Sequence, residues 1–178
     1  LQPLAQNLHY TGQLAAAESV ARRSVAIAEG AYGRGNTATL VALRGLLNVL
    51  VDGRRCEEAI PMAREVVALR TTGLPPTDLS LGSAYLQLGE CLGYTGDRAG
   101  AEDALREGVA LRLATLPPDH WAVGHARSLL GEALVAHGKV TEGRRHLAEG
   151  LRLLTSALGP DHFRTRQGLR RAAAGGAG

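Results

Sequence analysis

The side chains of this 178-residue chain that could do chemistry are six histidines, two cysteines and a few adjacent carboxylates. His120 and His125 are five apart and do not align on one helix face. His120 and His162 stand 42 residues apart, too far to share a metal by default, so structural roles in loops are expected for both. Glu57-Glu58 and Glu102-Asp103 are neighbours in sequence and point apart on a helix, as surface residues do. No serine occupies a Gly-x-Ser-x-Gly elbow, and neither Cys56 nor Cys91 adjoins a histidine that would activate it. Gly33-Arg34-Gly35 follows no strand, which argues against a phosphate cradle. The expectation is no catalytic set, no metal and no cofactor.

The elements that would position such residues are helical. Hydrophobic residues make up 45% of the chain and aromatics 3%, so the core volume is Ala, Leu and Val, which suits closely packed helices better than stacked sheets. The net charge of +3 is mild, and the charges alternate in sign along most of the chain. Only Arg164, Arg166, Arg170 and Arg171 cluster, and they read as a solvated last helix, so no nucleic-acid partner is expected. No apolar run of about 18 residues exists to span a membrane, and no leader segment is visible. Two cysteines in a chain this long do not make a disulfide framework. Cys56 and Cys91 are therefore expected as free, buried thiols of a cytoplasmic protein. The chain opens inside a helical pattern without Met and closes on small residues, which suggests a piece of a larger protein.

A repeat organises the whole. Positions 12, 54, 96 and 138 recur every 42 residues and hold Gly12, Arg54 beside Gly53, Gly96 and Gly138. Five residues on stand Ala17, Ala59, Ala101 and Gly143; thirteen on, Val25, Val67, Val109 and Leu151; fifteen on, Ile27, Leu69, Leu111 and Leu153. The loops repeat as Gly33-Arg34-Gly35-Asn36, Pro75-Pro76-Thr77-Asp78, Pro117-Pro118-Asp119-His120 and Gly159-Pro160-Asp161-His162. Agreement across four copies marks a helical repeat array. Each unit reads as a hairpin of two helices, with apolar residues at helical spacing such as Leu40, Leu43, Leu46, Leu47 and Leu50.

Helices are predicted near 2–11, 14–30, 37–51, 55–72, 79–94, 97–115, 121–136, 139–157 and 162–173. Asp119 and Asp161 are the expected N-caps. Gly96 and Gly138 mark turns that need positive φ, and Gly30, Gly73 and Gly159 are expected to close the long second helices. Trp121 and Phe163 share a column and staple the helix starts. Pro61 removes a helical hydrogen bond in its helix. The array is one domain over 1–173, with units about 1–30, 37–72, 79–115 and 121–157, a terminal helix 162–173 and a flexible tail 174–178.

Leu88-Gly89, Gly96 and Ala101, with Leu130-Gly131, Gly138 and Gly143, resemble the tetratricopeptide repeat. Its pattern has a Leu-Gly pair within the first helix, a glycine at the turn and a small residue early in the second helix. The copy with Leu46-Leu47 and Ala59 lacks the small residue of the first pair. The 42-residue period and the Gly-Pro-Asp-His loop at 159–162 look like the kinesin-light-chain subtype. The resemblance implies an all-α, right-handed α–α superhelix of about four hairpins with a C-terminal cap. A HEAT-like pairing is the alternative, against which the turn glycine with alanine five residues on argues.

Such an array exposes its first helices along a concave inner face. By resemblance the inner positions are Val41, Arg44, Asn48, Val51 and Asp52; Ser83, Leu86, Glu90, Gly93 and Tyr94; His125, Ser128, Glu132 and Val135; Arg170 extends the row. A lining that mixes Val41, Leu86, Tyr94 and Val135 with Arg44 and Glu90 suits a peptide. Arg44 and Asn48 are placed to hold a carboxylate or backbone, and Glu90 and Glu132 to meet a basic partner. The expected function is a non-catalytic scaffold for a peptide or partner protein. Two alternatives stand beside it: self-association into a homodimer through exposed array ends, and a regulatory region of a larger bacterial signalling enzyme, such as a serine/threonine kinase.

Overall fold

The computed structural model describes residues 1–73 and 79–176. Among the described residues there are nine α-helices and no strand: α1 (Gln2–Tyr10), α2 (Leu14–Tyr32), α3 (Thr37–Asp52), α4 (Cys56–Gly73), α5 (Leu79–Thr95), α6 (Arg98–Thr115), α7 (Trp121–Ala136), α8 (Val140–Leu158) and α9 (Phe163–Ala174). The expected order of hairpins is present throughout. The loop Pro75-Pro76-Thr77-Asp78 lies outside the described residues.

Local chemistry sets the ends. Asn36 Oδ1 accepts from Ala38 N at 2.9 Å, and one and two units on from the intervening loop His120 Nδ1 accepts from Ala122 N and His162 Nδ1 from Arg164 N, at 3.1 and 3.2 Å. The caps are therefore the histidines, not Asp119 and Asp161 as the sequence suggested. An N-cap needs extended backbone immediately before the helix, and His120 (φ −65°, ψ 137°) and His162 (φ −67°, ψ 139°) have it; the aspartates stand one residue too early. The imidazole of each cap also stacks obliquely on the next ring, Trp121 at 5.5 Å and Phe163 at 4.8 Å.

The turn column is left-handed in every copy: Gly12, Gly96 and Gly138 at φ 79°, 89° and 88°, and Arg54, the one non-glycine with positive φ among the described residues, at 59°. Gly159 (φ 82°) closes α8 as expected, but Gly30 does not close α2. That helix continues to Tyr32 and stops at Gly33, which has the positive φ (83°) that Gly30 lacks. Pro61 lies within α4. At the C-terminus α9 runs to Ala174, and the Gly175 carbonyl accepts from Arg144 Nε at 3.0 Å, so the order extends past the expected start of the tail.

The core is built of Leu, Ala and Val packed between the two helix layers, with Leu43, Leu47, Leu50, Leu130, Leu134, Leu147 and Leu154 fully buried. Each first helix packs on the next, α1 on α3, α3 on α5, α5 on α7 and α7 on α9, whereas the backbones of consecutive second helices do not meet. Long ion pairs span that outer gap instead: Arg22 to Glu58 at 2.5 Å between α2 and α4, and Arg106 to Glu142 at 2.9 Å between α6 and α8. Contact in one layer without contact in the other curves the stack with the first helices inside.

One expectation is overturned inside the core. Cys56, the first residue of α4, and Cys91 of α5 have Cα atoms 5.0 Å apart and form a disulfide, so neither is a free thiol. Both are buried, because α4 packs between α3 and α5 and brings positions 35 residues apart into register. Spacing along the chain gives no hint of this contact.

Candidate functional site

The inner layer encloses a cavity of about 380 Å³. Its wall takes Gln6 and His9 from α1, Arg44, Asn48 and Asp52 from α3, Ser83, Leu86, Gln87 and Glu90 from α5, His125 and Leu129 from α7, and Arg164, Gln167 and Arg171 from α9; Arg112 and Leu116 enter from the end of α6, and His120 and Trp121 from the loop and start of α7. A curved stack whose first helices lie side by side must converge their inward side chains on one hollow, which is why so many elements contribute.

The wall has two electrical poles. At one, the carboxylates are already engaged. Asp52 is held by His9. Glu90 accepts from Arg171 at 3.3 Å and from Tyr94 Oη at 3.0 Å, and Arg171 also reaches Glu132 at 2.8 Å. Burial raises the Glu90 pKa, and the Arg171 charge pulls it back. Tyr94 rises as well, through burial and the nearby Glu90. At the other pole stand Arg44, Arg112 and Arg164, and among the described residues none of the three is paired with a carboxylate. Burial, then the charges of Arg44 and Arg164, lower Arg112 to about 10, which leaves it charged at neutral pH. Arg112 donates to Ser83 Oγ at 2.6 Å, yet its buried Nε has no acceptor; Arg171 Nη1 is a second buried donor without one. Arg164 lies 5.1 Å from the ring centres of both Trp121 and Phe163. His125, between the poles, is held neutral, first by burial and then by Arg164, Arg171 and Arg112.

The structure brings eight of the fifteen named inner positions to this cavity: Arg44, Asn48, Val51, Asp52, Ser83, Leu86, Glu90 and His125. Asn48 accepts from Gln87 Nε2 at 2.6 Å, which ties α3 to α5. Tyr94 lies further along the layer, with the Arg54 guanidinium 3.8 Å over its ring, and Glu132 serves as the outer partner of Arg171. Val41 and Val135 are half-buried off the cavity wall. Ser128 is fully buried between helices and not exposed on the inner face. Arg170 is exposed and absent from the cavity. It shares a column with Arg44 and Leu86, which line the cavity, and with buried Ser128, but α9 has no following helix among the described residues. Arg171, one residue on, faces inward in its place.

Sequence reasoning missed Arg112, Arg164, Arg171 and Gln87. Arg112 belongs to a second helix, which the repeat rule assigns to the outer layer. Arg164 and Arg171 were visible as a basic cluster, but their inward aim depends on how α9 docks on α7.

Fold and site together define an α-helical repeat solenoid built around an inner cavity. Tetratricopeptide repeat models match residues 1–72, 81–122 and 123–164, and the chain belongs to that family, whose repeats are generally protein–protein interaction scaffolds and typically non-catalytic. Among solved structures it is similar to the putative kinesin light chain TPR-like repeats of Podosopora anserina, at 21% identity and a TM-score of 0.75, covering 98% of this chain and 82% of that one. A single-substitution variant of that protein gives the same values. BtubC (BKLC) from P. vanneervenii is similar at 15% identity and a TM-score of 0.64, over 91% of this chain and 70% of that one. At these identities the likeness concerns the fold. No curated protein matches the chain. Among the described residues no helix is long and apolar enough to cross a membrane.

Proposed function

We propose that this chain is a non-catalytic scaffold that holds a peptide segment of a partner protein in the cavity along its first helices. The observation that carries the reading is the cavity wall itself: charged donors without acceptors stand beside apolar Leu86, Leu129 and Trp121. Such a mixture is suited to a peptide, whose backbone and side chains present both kinds of surface. Arg44 is the clean probe, because it lines the cavity and has no ion-pair partner to lose, whereas Glu90 is fastened to Arg171. Affinity capture from the source cells with wild type and Arg44→Glu, at matched melting temperature, tests it. The partners retained by wild type are expected to fall away from the variant; undiminished capture would sink the reading.

A second reading is self-association. Leu4 on α1 and Leu169 on α9 are 50% and 56% exposed, at opposite ends of the array, and two copies could join there. Light scattering across a dilution series separates this from peptide capture. The setting we infer is cytoplasmic, within a larger bacterial signalling protein. Alkylation of Cys56 and Cys91 in intact cells, read by mass spectrometry, tests the compartment: a pair found oxidised in every molecule would oppose a reducing cytoplasm.

A further inference from the structure

We infer that the basic pole of the cavity binds a phosphoryl dianion carried on a phosphoserine or phosphothreonine of the partner protein. This rests on the groove reading above and goes beyond it by naming the group recognised.

The inference comes from charge and donor accounting inside one hollow. Both carboxylates of the wall, Asp52 and Glu90, already have hydrogen-bonding partners in His9 and Arg171. That leaves Arg44, Arg112 and Arg164 converging from α3, α6 and α9 without a counter-charge among the described residues. Like charges held together in a partly desolvated site repel, and a structure keeps them there only at a cost in stability. An anion placed among them removes that repulsion. A lone carboxylate brings one charge and two oxygens, which leaves two guanidinium groups uncompensated. A phosphoryl group brings close to two charges at neutral pH and three acceptor oxygens. Arginine's planar fork matches such oxygens in pairs, and arginine clusters are a recurrent means of recognising phosphorylated motifs.

The second observation is independent of charge. Arg112 Nε and Arg171 Nη1 are buried N–H donors in the wall of this cavity with no acceptor in reach. Buried donors are normally satisfied, and leaving one without an acceptor costs stability. A ligand at the basic pole that brings acceptors only, without a competing donor, satisfies Arg112 Nε, whereas Arg171 Nη1 belongs to the pole of Glu90. The Arg164 guanidinium, 5.1 Å from the ring centres of Trp121 and Phe163, is positioned by these rings at the basic pole. The hollow of about 380 Å³ holds a phosphorylated side chain together with part of its flanking backbone.

Inorganic phosphate tests the site, and peptides test its source. Thermal melts in sodium phosphate and in sodium acetate at equal ionic strength should show stabilisation by phosphate alone. A fluorescent degenerate peptide pool centred on phosphoserine should bind at least tenfold tighter than the same pool with serine or glutamate at that position. Arg112→Met and Arg44→Gln should each remove that tenfold preference. Melting temperatures without phosphate show that both variants are folded, and Arg44→Gln stands alone should Arg112→Met unfold. Equal effects of phosphate and acetate would overturn the proposal, as would a phosphoserine preference that survives in Arg44→Gln. Phosphate binding with the serine pool bound as tightly as the phosphoserine pool overturns the protein-borne source and leaves the groove reading standing. Phosphate binding with no pool bound overturns both.

Discussion

Hairpins α3–α4 and α7–α8 occupy equivalent places in the repeat and are closed by opposite means. The four positions where the two helices of a hairpin cross hold Leu40, Leu47, Ala59 and Val66 in the first, and Gly124, Gly131, Gly143 and Gly150 in the second. In α7–α8 the backbones themselves touch. A β-carbon at Gly131 would lie 2.7 Å from Gly143 O, and one at Gly150 would lie 2.8 Å from Gly124 O. In α3–α4 the leucines and Val66 are fully buried and hold the helices apart as packed side chains. The intermediate hairpin α5–α6, with Gly82, Gly89, Ala101 and Gly108, lies between the two in composition. A disulfide accompanies the wider hairpin and a charge cluster the tighter one. Cys56–Cys91 fastens the start of α4 to α5. Glu102 on α6 accepts from Lys139 at 2.5 Å, His137 at 2.6 Å and Arg106 at 2.9 Å, which anchors the turn before α8. The same repeat thus tolerates a crossing filled by side chains or one closed to backbone contact.

The comparison breaks most sharply if the two crossings are exchanged. Gly131→Leu imports the residue that stands at position 47. With backbone already inside contact distance, overpacking here should cost more than about 3 kcal/mol, and α7 and α8 should lose cooperative folding. Circular dichroism melts read this, and a variant as stable as wild type would show that the crossing can open. Next in size is the disulfide. Closing a loop of 35 residues stabilises by about 4 kcal/mol on chain-entropy grounds, so reductant should lower the urea midpoint by that equivalent. Hydrogen exchange should place the loss in α4 and α5 and leave α7–α8 protected.

Glu102→Gln should cost about 2 kcal/mol at pH 7, with allowance for its solvent-exposed partners. In the wild type the hydrogen bond from Lys139, with His137 and Arg106 behind it, lowers the Glu102 pKa to about 2. A carboxyl lowered in the folded state stabilises fully above its ordinary value of 4.5, and that contribution fades as pH falls toward 2. The acid limb of the wild-type stability curve should therefore flatten in the variant; denaturant titrations from pH 2 to 7 check it. The smallest effect is expected at Arg54→Gly. Its φ of 59° is disfavoured for any side chain but glycine's, so the variant should gain roughly 0.5–1 kcal/mol, less what the stacking on Tyr94 contributes. A loss of stability would mean that the stacking outweighs the strain.

The division between legible and hidden follows from the range of each interaction. The helices, their order and the left-handed turn at Gly96, Gly138 and even Arg54 follow from near neighbours and from columns that repeat every 42 residues. The capping histidines were misassigned by one residue, because an aspartate and a histidine side by side both offer an acceptor and only the backbone angles choose between them. Of the inner row, Arg44, Ser83, Glu90 and His125 could be named because the resemblance to the tetratricopeptide pattern assigns an inner face. Ser128 could not, because whether that face meets solvent or the next helix depends on how closely α7, α8 and α9 pack.

The sequence by itself determined the repeat and the two helices of each unit, since these depend on periodicity and local conformational preference. Only the tertiary structure decided that Cys56 meets Cys91, that Arg171 and not Arg170 faces the cavity, and that Arg112 joins Arg44 and Arg164 from the other helix layer. Those contacts join residues separated by 35 to 120 positions in the chain. They are fixed by the curvature of the stack and the docking of its last helix, which no local pattern encodes.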